Sequence, residues 1–334
     1  MSPDGREVRL ALPSRGRMEE ETLEFLRECG LEVRKPGPRR YSAIMPGLPF
    51  VSVVFQRARD IPRSLSSGDV DLGITGLDSL EEARAGGMFG ITVVHEALGF
   101  GSCRLALAVP EDWADVRRVT DLPGAPGAGR IATRHPCLAG RFLEAAGLSG
   151  FEIVGADGAL ESAPSVGYAD LIADLVSSGE TIRENRLKLL EDGVILESEA
   201  VLAGCSSSLE TNPLVLSTAC TMLEYVEARL RGRDKYLVFA NMRGCSPDEI
   251  AARMSGRAFL GGLQGPTVSR VLGPPGSGWW AVNIVVPSSG LYEAIEELRA
   301  SGGSGVVVTP VRYVFEERPD RCARLLDFSG RRRR

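Results

Sequence analysis

Between residues 7 and 205 the chain alternates short apolar runs with helical stretches, which confines it to α/β architectures with largely parallel sheets. EVRLALP (7–13) is an apolar run, SRGR (14–17) a polar turn, and MEEETLEFLREC (18–29) a helix. In that helix Met18, Phe25, Leu26 and Cys29 recur at helical spacing, and Gly30 stands where a helix-ending glycine belongs. YSAIMPG and FVSVVFQ read as strands, RDIPRSLSSG as a short helix, and DVDLGITG (69–76) as a buried strand followed by the helix LDSLEEARAGG. ITVVHEALGFGSCRLALAVP (91–110) supplies two more strands, and the Pro/Gly-rich DLPGAPGAGR (121–130) an exposed loop. A second run then begins: strand RIATRHP (130–136), helix LAGRFLEAAG, strand FEIVGAD, helix ALESAPSVG, strand DLIADLV (170–176), loop SSGE and helix TIRENRLKLLEDG.

After VILESEAVLAGC (194–205) the pattern changes. A helix within 209–231 leads to strand KYLVFANM and to helix SPDEIAARM, where Ser246, Pro247 and Glu249 form a capping box. Strands GPTVSRVL and WWAVNIVVP around a GPPGSG turn, helix LYEAIEELRA ending at Gly302, and strand GVVVTPVRYVF complete a β-α-β-β-α-β order, the ferredoxin-like plan. With 334 residues and about 150 per domain, the chain exceeds two domains. The expected division is a first lobe at 5–100, completed by about 192–206, and a second lobe at 101–191. A linker helix (207–234), the ferredoxin-like module (235–318) and a tail (319–334) ending in SGRRRR follow.

Composition removes several function classes. Seven cysteines without a CxxC pair argue against a disulfide framework or a zinc site and for a reducing compartment. Two histidines without ligand spacing make a transition-metal site improbable. A net charge of −5 speaks against nucleic acid as a partner. No apolar run reaches the roughly 18–20 residues of a membrane span, and no charged-then-apolar leader opens the chain, which reads as soluble and non-secreted. Lys occurs only at 35, 188 and 235, a bias that coding composition accounts for, although individual arginines remain able to bind phosphate.

The most informative stretch is ADLIADLVSSGETIREN (169–185). A strand carrying Asp174 ends in Ser177, Ser178, Gly179, Glu180 and Thr181 at a helix start. Backbone N–H groups and hydroxyls there suit a phosphate monoester, as they also suit an ordinary capped turn. Asp170 and Asp174 are candidates for ribose hydroxyls or Mg²⁺, with Glu161 of DGALESAP as a third carboxylate; a merely solvated face is the alternative. PSRGR (13–17) places Arg15, Gly16 and Arg17 in a strand-to-helix turn, a polyphosphate clamp or two surface arginines. DLGITGLD (71–78) offers Asp71, Thr75, Gly76 and Asp78 as an anion or hydroxyl site on fold logic. GFGSCR lacks the third glycine of a dinucleotide fingerprint, and GAPGAG is followed by no Gly-Lys-Ser/Thr. His95 reads as a core or lobe-junction residue and His135, before Pro136, as the better candidate for substrate contact.

Taken in order, LALPSRGRM, RDIP, DLGITGLD, GFGSCRLALAVP, RIAT, DGALESAP, ADLIADLVSSGETIREN, LESEAVL, NMRG, LQGPTVS and GGSGVVVTP resemble ATP phosphoribosyltransferase. The resemblance is to the long, histidine-regulated form and, in PSRGRM, ANMRG and GLQGPT, to its plant and algal branch. It implies a two-lobed, periplasmic-binding-protein-like catalytic body with a C-terminal regulatory module. The implied reaction moves a phosphoribosyl group from phosphoribosyl pyrophosphate (PRPP) to N1 of ATP, with Mg²⁺. By position, Ser177 to Thr181 would cradle the 5-phosphate, with Glu161, Asp170 and Asp174 around the ribose and Mg²⁺–pyrophosphate. Arg15, Gly16, Arg17, Asp71, Thr75, Gly76 and Asp78 would face ATP or pyrophosphate. Arg15 stands where the family usually has Lys.

Asn241, Leu263 and Thr267 would form the L-histidine site at a subunit interface of a homo-oligomer, dimer or hexamer; Asn241 stands where an acidic residue is common. The branch implies the chloroplast stroma, with a transit peptide expected before a mature start, and otherwise the cytoplasm. A two-lobed solute-binding protein without catalysis is the rival reading, and a ligand-sensing regulator a second.

Overall fold

The computed structural model describes residues 7–35, 37, 42–125, 127, 129–156, 158–273, 278–317 and 319–331. Asp157, most of the GPPGSG turn, part of the 121–130 loop and the last three arginines of the expected tail lie outside the described residues. Two compact units result, one of residues 1–226 with 318–334 and one of residues 227–317.

The first unit holds two sheets. One begins with β1 (Val8–Pro13), β2 (Ser42–Ile44), β3 (Val51–Gln56), β4 (Leu72–Gly76) and β5 (Ile91–His95). Helices α1 (Gly16–Glu28), α2 (Ile61–Ser67) and α3 (Leu77–Ala85) connect them. The chain then builds a second sheet from β6 (Cys103–Pro110), β7 (Arg130–Thr133), β8 (Glu152–Gly155), β9 (Leu171–Val176) and β10 (Leu187–Ser198). Its helices are α4 (Pro136–Ala145), α5 (Ala163–Val166) and α6 (Glu180–Glu184). Returning, β11 (Ala200–Cys205) inserts antiparallel between β4 and β5, giving the order β2-β3-β1-β4-β11-β5; the second sheet runs β10-β6-β9-β7-β8.

Each sheet keeps a parallel core, β3-β1-β4 in one and β8-β7-β9 in the other, bordered by antiparallel strands. The sheets are therefore more mixed than alternation alone implies. Both faces of the parallel strands are covered: Ala11, Ile61, Leu65, Leu80 and Val201 pack together in the first lobe. In the second lobe Leu107, Ile131, Leu143 and Leu171 lie on one side of the sheet, and Ala108, Ile172 and Ile182 on the other.

Two segments fold differently from their local pattern. The residue types of RLKLLEDG favour continuation of the helix, yet α6 stops at Glu184 and Leu187–Ser198 forms a strand. Arg186 has a φ of 55°, which ends the helix, and antiparallel pairing with β6 outweighs the helix propensity of Leu, Lys and Glu. Residues 320–331, expected as tail, form α11 (Asp320–Arg331) after α7 (Ser206–Thr211) and α8 (Pro213–Gly232); Cys322 and Leu325 of α11 are buried. Arg321 reaches Glu96 through two 2.9 Å hydrogen bonds.

The second unit is the ferredoxin-like module. β12 (Lys235–Arg243), α9 (Pro247–Met254), β13 (Thr267–Arg270), β14 (Trp279–Pro287), α10 (Leu291–Ala300) and β15 (Gly303–Pro310) give the sheet order β13-β14-β12-β15. Val238, Ala240, Met242, Val282, Ile284 and Val286 alternate onto the helix-covered face with Ile250, Ala294 and Leu298. Ser246 Oγ accepts from Glu249 N at 3.1 Å, while Glu249 Oε2 accepts from Cys245 N, one residue before the position a standard capping box uses.

His95 ends β5 almost wholly buried, with Ala97 N donating to its Nδ1 and no partner for its Nε2 among the described residues. Burial, reinforced by the Arg321 charge, pushes its pKa down to about 4. The unfolded chain takes up this proton near pH 6.5 and the folded chain only near 4, so stability is full above 6.5 and declines as pH falls between them. Melting followed from pH 7.5 to 4 is expected to show a loss of about 3 kcal/mol from this group. His95→Asn is expected to flatten that part of the profile. Glu96, held down to about 2 by Arg321, contributes its own loss only as pH falls below its unfolded value of 4.5.

Candidate active site

Parallel strands of α/β sheets collect ligands outside their carboxyl ends. In the first unit those ends face a cleft between the two lobes. A cavity of about 790 Å³ there is lined by Arg15 after β1, Arg57 and Arg59 after β3, Gly76 and Asp78 after β4, and Arg134 and His135 after β7. A second cavity of about 490 Å³ shares Cys103 with it and is lined by Ser177, Ser198, Glu96, Glu197 and Glu199. Arginines after three strand ends thus line one cavity, and Glu96, Glu197 and Glu199, near the segments that cross between lobes, line the other.

Asp78 is buried in the wall of the larger cavity. Its Oδ1 accepts from Ser198 Oγ at 2.8 Å and its Oδ2 from Ser79 Oγ at 3.0 Å, while its own N–H donates to Ser198 Oγ at 2.9 Å. His135 Nε2 lies 3.1 Å from Oδ2. Burial opposes ionisation of this carboxyl, but the bonds from His135 and Ser198, the His135 charge and Ser79 outweigh it and hold the pKa below the usual aspartate value. Gly76 is required here: a Cβ on it would lie 2.3 Å from Asp78 Oδ1. Thr75 is fully buried and donates to the Ala58 carbonyl at 2.7 Å. Its hydroxyl therefore shapes the turn bearing Arg57 and Arg59 and does not face the cleft.

In the second lobe Asp174 and Glu161 come within electrostatic range of each other. Burial raises the Asp174 pKa, the Glu161 charge adds to the rise, and Leu175 N, Arg134 and His135 oppose it. A carboxylate pair with one member pushed up in this way is one that a cation relieves. Mg²⁺ characteristically binds one or two carboxylates and completes its shell with substrate phosphates and water, so the pair fits that ion. Ala159, in the left-handed region at φ 49°, leads into the 3₁₀ turn that carries Glu161. After β9, Ser177, Ser178, Glu180 and Thr181 are exposed around Gly179, whose φ of 74° lets the chain turn into α6. With five residues α6 has little macrodipole, so what the loop offers a ligand is its N–H and hydroxyl groups.

Asp71 and Asp170 do not join these sites. Each precedes its strand and lies at the amino end, about 20 Å along the strand from the loop that shares its motif. Asp71 accepts from Arg9 N (2.9 Å) and Arg9 Nη2 (3.3 Å), and Asp170 from Arg130 N (2.8 Å) and Arg130 Nη2 (3.1 Å). Arg9 also donates to the Gly68 carbonyl and Arg130 to that of Gly167. The two clamps are the same device, repeated once per lobe, and both carboxylates are spent on it. Arg17 is paired with Glu21 at 2.8 Å on the exposed side of α1, and Gly16 beside it is exposed.

Arg57, Arg59, Arg134, Ser198 and Glu82 line the cleft without standing out in sequence. For the arginines a signal existed, since Arg57 and Arg134 each follow directly on the last residue of a strand. In the second unit Asn241 and Thr267 alternate with core residues and so lie on the sheet face away from the helices, two strands apart. Leu263 precedes β13 and is 53% exposed.

The family model described as ATP phosphoribosyltransferase matches residues 57–226, and that of the HisG C-terminal domain matches residues 232–313. ATP phosphoribosyltransferase 2, chloroplastic, of Arabidopsis thaliana is 43% identical over 98% of this chain and 82% of its own. ATP phosphoribosyltransferase 1, chloroplastic, of the same plant is 42% identical over 96% and 80%. Among solved structures, the ATP phosphoribosyl transferase HisG:HisZ complex of Thermotoga maritima aligns with a TM-score of 0.52 and 26% identity, covering 66% of this chain and 98% of that one. About a third of this chain therefore has no counterpart in that one. Over nearly its whole length, in its long plant-like form, the chain belongs to the ATP phosphoribosyltransferase family.

Proposed function

We infer that this chain is an ATP phosphoribosyltransferase acting at the first step of histidine biosynthesis, transferring the 5-phosphoribosyl group of PRPP to N1 of ATP. The observation that carries this reading is the cleft, where arginines after strand ends of both lobes line one cavity and Ser177 the one beside it, with half-buried Asp174 in electrostatic range of Glu161 and Arg134.

The C1′–O bond to pyrophosphate breaks with its electron pair leaving on the pyrophosphate oxygen, and the adenine N1 lone pair forms the new bond from the opposite face. Adenine N1 is a nucleophile as it stands, so no protein nucleophile is needed. The transition state carries positive charge on the ribose ring, which Asp174 and Glu161 stabilise. Arg15, Arg57, Arg59 and Arg134 hold the phosphates of ATP and the departing pyrophosphate, and Ser177 to Thr181 the 5-phosphate. Asp174 and Glu161 would hold Mg²⁺ together with substrate oxygens, and the ion would there supply positive charge against the departing pyrophosphate. The two-lobed plan is shared with solute-binding proteins and does not by itself favour that rival.

In the ferredoxin-like unit, Asn241, Thr267 and Leu263 are the residues we assign to L-histidine as feedback inhibitor, in a homo-oligomer. The chloroplastic relatives support a chloroplast location.

Incubation with ATP, PRPP and Mg²⁺, with pyrophosphatase to draw the equilibrium, is expected to yield the absorbance of a phosphoribosylated adenine. Absence of product across salt and Mg²⁺ concentrations would overturn the reading. Thr181→Ala is expected to raise the KM for PRPP roughly tenfold or more, the scale of a hydrogen bond to a charged group, while moving that for ATP far less. Equal effects on both would put the loop elsewhere. Asn241→Ala is expected to raise the histidine concentration needed for half-inhibition; an unchanged inhibition curve would remove Asn241 from the site.

A further inference from the structure

One contact between the two lobes runs along one side of α3. Asp78, Glu82 and Ala85 are spaced four and three residues apart, so they share one face of α3. All three meet α4 of the other lobe or the residue that precedes it. Asp78 Oδ2 lies 3.1 Å from His135 Nε2. The Glu82 carboxylate accepts from Cys137 N at 2.8 Å and from Leu138 N at 2.9 Å, satisfying two amides of the first turn of α4 that the helix itself leaves without partners. Arg141 Nη2 donates to the Ala85 carbonyl at 2.8 Å. Just past α3, a Cβ on Gly86 would come within 3.5 Å of Cys137 Sγ, so the helices also approach closely at that end.

Every one of these hydrogen-bonded contacts is polar, and every partner could be hydrated if the lobes parted. Exchange of such bonds for water is nearly balanced, which makes this a seam able to open and not a fused core. One atom already marks it as under-satisfied: His135 Nδ1 is buried with no hydrogen-bond partner among the described residues. The seam also borders the cleft directly, because Asp78, Ser79 and Glu82 form one wall of the larger cavity and Arg134, His135 and Cys137 the facing one. Its closure therefore fixes the separation between Arg134 and the arginines of the first lobe.

We propose that Glu82, with Asp78 and Arg141, forms a polar clasp that holds the lobes at the spacing the transfer requires, which makes Glu82 a positioning residue for that reaction. The proposal rests on the cleft being the transfer site. A weakened clasp leaves the chemistry of the closed enzyme intact but lowers the fraction that is closed. Apparent affinity falls by that fraction for every ligand that needs both lobes. The KM values for ATP and PRPP then rise together, whereas a loss of folded enzyme lowers kcat and leaves both KM values in place.

Glu82→Ala is expected to raise both KM values by a common factor of roughly tenfold, with kcat changed by less than about twofold. Glu82→Gln, whose amide oxygen can accept one of the two bonds, is expected to fall between, and Arg141→Ala to shift in the same direction. Amide exchange read on the same full-length proteins is expected to speed up at Cys137 and Leu138, and to slow again when both substrates are saturating. Faster exchange with unmoved KM values would reduce Glu82 to a helix cap, and a fall in kcat alone would make its role one of stability; either overturns the proposal. Should Glu82→Ala not fold, Glu82→Gln and Arg141→Ala decide by the same criteria. An inactive parent chain would instead overturn the reading of the cleft as the transfer site, and with it the positioning role. The exchange data distinguish the two failures, since they report the seam whether or not catalysis occurs.

Discussion

The carboxylate of Asp78 is the point on which the two-lobed body turns. It is buried, so it must be fully hydrogen-bonded to stay charged, and its partners come from three separate stretches of chain. Ser79 is its neighbour in α3, Ser198 closes the strand that returns from the second lobe, and His135 opens that lobe's α4. The need to satisfy one buried charge thus brings a helix start, a crossover strand and the opposite lobe to one place. Gly76 follows from the same demand, since no side chain fits beside Asp78 Oδ1.

At the other end of the strands a different pair of charges has a purely structural role. Arg9 with Asp71 and Arg130 with Asp170 are near copies, down to the guanidinium bond to the carbonyl of a left-handed glycine that ends the preceding helix. Each arginine N–H is accepted by the aspartate carboxylate, and each aspartate N–H is accepted by the arginine carbonyl. Both clamps fix a strand start beside its parallel neighbour, Asp71 beside β1 and Asp170 beside β7. The carboxyl ends, relieved of that task, carry the loops that face the cleft. GDVDL at 68–72 and GYADL at 167–171 are the trace of this repeat in the sequence.

Much of the fold is legible in the sequence because periodicity reports burial. The βα alternation and the β-α-β-β-α-β module appear where the apolar spacing places them. What spacing does not report is direction along a strand. Asp71 and Asp78 sit seven residues apart in one motif, as do Asp170 and Ser177, yet a strand of five or six residues carries the members of each pair to opposite ends. The grouping of three carboxylates therefore reduces to Glu161 and Asp174, and the second-lobe strand after α6 is missed because its partner β6 lies some eighty residues upstream. Long-range pairing of this kind leaves no local signature. The same is true of α11, whose burial depends on surfaces set by β5 and α7.

The arginines show how far a strand-end rule extends the reading. Arg57 and Arg134 each follow a strand by one residue and Arg15 follows β1 by two, so their positions are implicit once the strand limits are known. Their function is not implicit, because a chain with 39 basic residues offers an arginine near almost any element. What distinguishes Arg15 from Arg17 is that its carboxylate one helical turn away is already taken: Glu19, four residues after Arg15, pairs with Lys35. Arg17 has Glu21 at that spacing and is held on the surface of α1, whereas Arg15, two residues earlier in the turn, points its charge into the cleft wall. A spacing of four residues therefore does not place an arginine by itself, since Glu19 stands as far from Arg15 along the chain as Glu21 does from Arg17. It is Lys35, 16 residues beyond Glu19, that takes this carboxylate and leaves Arg15 to the cleft.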